Sequence, residues 1–260
     1  MKRRRLLIPA LLTIAVLLGS ALAQAEFGQE GNVRISFSGD FSPHALPRNE
    51  LAPVTIDVKG AIGTTDGTHP PAVRRIEIGI NRHGRLSTHG LPACSGPRLQ
   101  ATSTETALKR CRPALVGRGH FGANVEFSNT DPVLANGTML AFYGKSSGKK
   151  ALLLHLYATA PVRTTFVLPL IISNRGNELF GTVLSAKIPT LAGGLGSVTK
   201  IDLKIGREYT YRGQRRSFLS ASCPAPAGFT GGVFSLARGS FYFADGKKID
   251  ATLERDCRVR

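Results

Sequence analysis

The chain has 260 residues, with 34 Lys and Arg against 17 Asp and Glu, four cysteines and no tryptophan. This length suffices for one large domain or two small ones with a proper core, and the positive excess favours anionic partners. The basic residues are spread along the chain and no basic run is interleaved with stacking aromatics, which argues against a single-strand nucleic-acid binder.

Met1-Lys2-Arg3-Arg4-Arg5 leads into an apolar run from Leu6 to Leu18 and then to Ala23-Gln24-Ala25. A basic start, a short apolar stretch and a small-x-small site make residues 1–25 a secretory signal peptide, cut after Ala25. The apolar run is shorter than the ~20 residues that cross a bilayer, so no stable membrane span is expected once it is removed. Arg3-Arg4-Arg5-Leu6-Leu7 partly resembles a twin-arginine signal, which leaves both export routes open. The mature chain, 26–260, keeps 30 Lys and Arg against 17 acids, a net charge of about +13. Outside the cell the anionic partners would be an envelope polymer, an acidic glycan or a lipid surface; export argues against nucleic acid.

Two-residue alternation dominates the mature chain. Val33, Ile35 and Phe37 alternate with Arg34, Ser36 and Ser38, and Val54, Ile56 and Val58 repeat the pattern before the turn Gly63 to Pro71. In Val73 to Ile80, Ile76, Ile78 and Ile80 share one face opposite Arg75 and Glu77. Gly90 to Cys94 opens a turn-rich loop that closes at Cys111. Leu115 to Phe127 then reads as a strand whose Gly117, Gly119 and Gly122 imply a bulge or a close backbone approach. Thr138 to Tyr143 and Ala151 to Ala160 flank the basic turn Gly144 to Lys150 as a hairpin. Arg163 to Ser173 is apolar but contains Pro169, which implies an edge or a bulge. Phe180 to Ile188, Ser197 to Gly206, Phe218 to Cys223, Val233 to Phe243 and Ile249 to Cys257 complete the strands, with a basic turn around Gly213 and a hairpin turn at Asp245-Gly246. No ten residues sustain helical periodicity. The fold class expected is all-β, an antiparallel β-sandwich or jelly-roll-like arrangement. Val73 to Ile80 and Val198 to Ile205 match in pattern at an offset of 125 residues, which suggests two related β halves, 27–145 and 146–260.

Cys94, Cys111, Cys223 and Cys257 make an even count in an exported chain, so disulfides are the expected state. Four cysteines allow three pairings; locality favours Cys94 with Cys111 and Cys223 with Cys257. No C-x-x-C spacing points to zinc.

Gly90-Leu91-Pro92-Ala93-Cys94, the segment Cys111 to Gly119, Ala221 to Pro226 and the terminal Cys257 together resemble a group of exported, β-rich hypothetical proteins of actinobacteria. The resemblance covers most of the mature chain. It implies export and a stapled β fold, and it transfers no site residue.

Motifs with catalytic precedent fail on context. Gly144-Lys145-Ser146-Ser147-Gly148 fits the G-x-S-x-G nucleophile elbow, but a strand follows it where that elbow needs a helix, and no acid separates Ser146 from His155, the sole downstream histidine. Gly117 to Gly122 fits G-x-G-x-x-G without the βαβ unit that would hold a pyrophosphate. His83, His89 and His120 lack metal-ligand spacing, and Asp245 with Asp250 lacks the oxygen density of a calcium loop. Glu77 and Asp202 occupy echoed positions but point away from the apolar faces of their strands. No catalytic residue, metal or cofactor is assigned. The anion-binding candidates are Lys145, Lys149 and Lys150 on one turn and Arg212, Arg215 and Arg216 on another, since loops at the ends of a rigid β scaffold are where binding residues concentrate. The expected function is a non-enzymatic envelope or extracellular protein that binds anionic polymers through these loops. The alternative is a secreted carbohydrate-active hydrolase whose carboxylates assemble from distant segments.

Overall fold

In a computed structural model, residues 26–125, 133–176, 178–189 and 196–260 are described. The signal segment 1–25 and residues 126–127 at the end of the glycine-studded strand lie outside them. The first strands are β1 (Glu26–Glu30), β2 (Val33–Ser42), β3 (Ala45–Leu46), β4 (Ala52–Pro53), β5 (Thr55–Thr64), β6 (Val73–Ile80), β7 (Gly84–Leu86) and β8 (Cys94–Ser95). Two short helices follow, α1 (Gly96–Leu99) and α2 (Thr104–Cys111), with a 3-10 turn at Arg112–Ala114. Then come β9 (Leu115–Val125), β10 (Val133–Ser146), β11 (Lys149–Ala158), β12 (Thr164–Asn174), β13 (Thr182–Lys187), β14 (Gly196–Ile205), β15 (Glu208–Tyr211), β16 (Gln214–Ser217), β17 (Leu219–Ala221), β18 (Gly231–Phe243) and β19 (Lys248–Val259).

The fold is all-β and stapled by two disulfides. Its main sheet runs β1-β2-β5-β14-β9-β10-β11-β12-β13-β6-β18-β19-β3, with β8 added beside β10. Every pair is antiparallel except the short β3 and β8 additions. The sheet curls until its first strands meet its last. Gly28 lies against Ile249, where a side chain on the glycine would come within 2.3 Å of the isoleucine methyl. Arg255 Nε donates to the Gly39 carbonyl, Lys248 N–H donates to Glu30 at 2.8 Å, and Phe37 meets Phe241 edge-on at 6.1 Å. The two halves face each other as sandwich layers do, yet they belong to one sheet.

The halves exchange a strand. From β1 to β10 the sheet holds early strands except β14, and from β11 to β19 it holds late strands except β6. Twelve strands lie from β1 to β19, and the two intruders stand fourth and tenth. These are the strands whose sequences echo one another, so each carries the same pattern into the equivalent place of the other half. Their connections, 65–72 and 188–195, both leave from the same end of the barrel, because Thr64 and Val33 pair there, as do Gly196 with Val125 and Lys187 with Arg75.

Alternation sets the faces. Outward residues of β5 and β14 form cross-strand ion pairs, Lys59 with Asp202 at 3.5 Å and Lys204 with Asp57 at 3.4 Å. A barrel that crosses a bilayer carries an apolar outer band instead. No helix among the described residues is long and apolar enough to span a membrane.

The segment between Cys94 and Cys111, expected as a loop, is helical. Ser103 caps α2 by accepting the Thr106 N–H at 3.2 Å. Leu99, Ala107, Cys111 and Ala114 pack on the outward residues Leu140, Phe142 and Leu153 as a second apolar cluster. The helices were hidden because α2 has eight residues, about two turns, too few to establish a period. The disulfides join Cys94 to Cys111 and Cys223 to Cys257, with Cα separations of 5.7 and 5.6 Å. Pro169 sits in β12 beyond the stretch that pairs with β13, where one side of the strand is unpaired. Gly119 faces a close approach: a Cβ there would lie 2.0 Å from the Asp202 carbonyl oxygen. The bulge falls between Ala141 and Phe142 of β10, opposite Gly117 and Leu115.

Candidate functional site

A closed sheet of about eight strands is filled by its own side chains, and wider ones leave interior space. Twelve strands in this circuit leave a cavity of about 500 Å³, within the ~300–1,000 Å³ range of ligand sites. Its walls are inward residues of almost every long strand, among them Ile35, Ile78, Phe121, Leu154, Leu168 and Leu203.

One end is closed. β4, β17 and β7 form a separate three-stranded sheet, and Leu86, Phe218 and Leu219 from that region make the floor. Phe218 is fully buried at 1% exposure. Cys223, directly after this sheet, is tied to Cys257 near the end of β19, and its N–H donates to Pro47 at 2.9 Å.

The other end, where the crossovers leave, is where polarity enters. The polar residues among those lining the cavity are Arg74, Thr164, Ser197, Thr199 and Lys200, and all five lie near that end, which is open among the described residues. No carboxylate or imidazole is among the described lining residues. The arrangement can shield an apolar body and meet a polar group at the rim.

The residues singled out from sequence lie elsewhere. Lys145, Lys149 and Lys150 sit at the β10–β11 turn, and Arg212, Arg215 and Arg216 on the β15–β16 hairpin. Both lie at the closed end. His89 meets the Tyr211 ring at 5.1 Å and its carbonyl accepts from the Tyr209 hydroxyl at 2.8 Å, while Ser95 pairs with Lys145. Six residue steps, from His89 to Ser95, therefore link the two hairpins, a connecting stretch of at most about 22 Å. Gly90 permits the contact, with φ +77° and the Tyr211 ring where a Cβ would be. Arg215 is paired with Glu208 at 3.0 Å, Arg216 donates to Gln214 at 2.9 Å, and Arg212 lies over the Tyr211 ring at 5.3 Å.

Glu77 and Asp202 project from β6 and β14, six strands apart in either direction around the circuit, at ~4.8 Å per step. Each is engaged at the surface, Glu77 by Arg75 and Asp202 by Lys59. His83 lies 3.4 Å from Ser222 Oγ, His89 beside Tyr211, and His120 on the outer face of β9 opposite Thr138. Among the described residues no three His, Cys, Asp or Glu converge as a metal site. His120, Thr138 and Tyr157 line an outer depression of about 320 Å³.

His155 is fully buried on the outer face of β11, under the helical segment. Its Nε2 lies 3.0 Å from the Thr102 carbonyl oxygen, which only accepts, so Nε2 carries the proton and Nδ1 is bare. Burial pushes the imidazole pKa below its ordinary value, against the hydrogen bond to Thr102. Ser146 lies six positions along the paired strands from His155, about 20 Å at the usual strand rise, so the two do not form a dyad.

The cavity is not apparent from the sequence because each apolar face looks the same whether it meets a partner or a void. The signal was the number of alternating strands, more than two tightly packed small layers need. The chain matches no family model, no curated protein and no solved structure.

Proposed function

We propose that this chain is an exported, non-enzymatic β protein that carries an apolar molecule inside its barrel. The observation behind this reading is the cavity of about 500 Å³ whose polar lining residues are confined to one end. Burial of apolar surface supplies the affinity, roughly 25 cal/mol per Å² removed from water. Export rests on the signal-like residues 1–25, and two disulfides suit an oxidising compartment. Nile red, a neutral dye that brightens in apolar surroundings, tests the reading. One dye is expected to bind per chain, and Ala186→Trp or Ala123→Phe, which place bulk in the cavity from two different strands, should abolish binding while far-UV circular dichroism stays unchanged. Absence of saturable binding by the native protein refutes it.

A second reading draws on the closed end, where both basic hairpins project. There the chain would rest on an anionic envelope polymer or glycan, leaving the open end free. Retention on a polyanion column should vanish at moderate salt, because exposed charges are screened beyond ~8 Å at physiological ionic strength. Charge reversal at Lys149, Lys150, Arg212 and Arg216 should remove retention and leave Nile red binding intact.

A further inference from the structure

The barrel wall is incomplete between β12 and β13. These strands pair only from Ile171 to Asn174, against Ser185 to Thr182, at the closed end. Toward the open end β12 runs on to Thr164 with no partner on that side among the described residues, and Pro169, which has no N–H to donate, stands in this stretch. The chain beyond β13 stays with β6 instead, Ile188 N–H donating to the Arg74 carbonyl at 2.8 Å one step past the pair of Lys187 with Arg75. Phe166, Leu168 and Leu170, the inward residues of this stretch, line the cavity, so the gap borders the interior.

The rim of the gap is cationic and apolar together. Val162, on the β11–β12 connection, is 66% exposed and also lines the cavity. Arg163 precedes β12 and Lys187 ends β13, both exposed, and neither has an ion-pair partner among the described residues. Described carboxylates at this end are engaged elsewhere: Asp66 by Thr68 and Asn32, Glu30 by the Lys248 N–H, Asp245 by Lys247.

We infer that the cavity takes one long acyl chain bearing an anionic head group, inserted through the gap between β12 and β13, with the head at the cationic rim where Arg163 and Lys187 stand. This rests on the apolar-cargo reading and names the chemistry of the cargo. A methylene fills about the ~30 Å³ of a liquid water molecule, so about 500 Å³ has room for one chain of roughly sixteen carbons. Free carboxylate and phospholipid share this chemistry.

Displacement of Nile red by n-alkyl carboxylates of eight to twenty carbons, by the matching alcohols and by phosphatidylglycerol vesicles tests the inference. Carboxylate affinity should rise about fourfold per methylene, level off near sixteen carbons, and exceed that of the equal-length alcohol about tenfold. Arg163→Glu with Lys187→Glu should erase that tenfold advantage and leave the alcohol unchanged. Displacement by the free acids alone assigns a single-chain ligand, and stronger displacement by the vesicles assigns a phospholipid chain. Pro169→Cys and Lys187→Cys occupy positions that the β12–β13 register would bring opposite each other. A thiol-specific bifunctional reagent joining them should slow uptake at least tenfold relative to the same variant before cross-linking. Equal binding of acid and alcohol, or charge reversal without effect, overturns the head-group assignment, and an unchanged uptake rate overturns the route. Nile red binding that no alkyl compound displaces overturns the acyl chain while the cargo reading stands.

Discussion

His155 and Gly119 show how much one position can carry in this fold. With Nε2 donating to Thr102, a second proton would place a charge on a fully buried ring, a cost that outweighs the backbone hydrogen bonds at Thr102 and His155. The folded imidazole therefore titrates below the unfolded one, whose pKa is about 6.5. Above that pH both states are neutral and the group adds no pH dependence. Below it the unfolded chain binds the extra proton, so stability is lost as pH falls toward the folded pKa. Chemical denaturation at successive pH values should show a decline below about pH 6.5 that His155→Leu partly flattens; His83, lowered by burial and by Arg82, adds to the remainder. Gly119→Ala should destabilise by about 3 kcal/mol in the same assay, because the new methyl meets backbone, not a side chain that can swing away.

Among the elements, the two disulfides hold different things. The bond from Cys94 to Cys111 closes the helical segment over the outer face, and the bond from Cys223 to Cys257 pins the floor region to β19. Their sequence separations, 17 and 34 residues, give similar expected losses of roughly 3 to 4 kcal/mol on the chain-entropy model. Function should separate them. Cys94→Ala with Cys111→Ala should lower the denaturation midpoint and spare Nile red binding, whereas Cys223→Ala with Cys257→Ala should lower both. The strands were legible from alternation, down to the unpaired side of Pro169 and the close approach at Gly119. The helices were not, since α2 is too short to declare a period, and β1 was missed because Glu26 to Glu30 carries one buried residue, Gly28.

Across the molecule, the exchange of β6 and β14 makes the halves interdependent. Each half lacks a strand in its middle, so either one alone exposes two unpaired edges. Separate fragments 26–147 and 148–260 should be unfolded by circular dichroism and should recover strand signal and Nile red binding when refolded together. The order of residues was enough to set the strand content, the faces of the strands and the similarity of two distant strands, and to favour the local cysteine pairs, because each depends on spacing within or between short segments. That the similar strands trade places, that twelve strands close around a space, and that one seam of the wall stays open were settled by three-dimensional assembly alone. Those features come from how many strands share one curved sheet, and no short segment records that number.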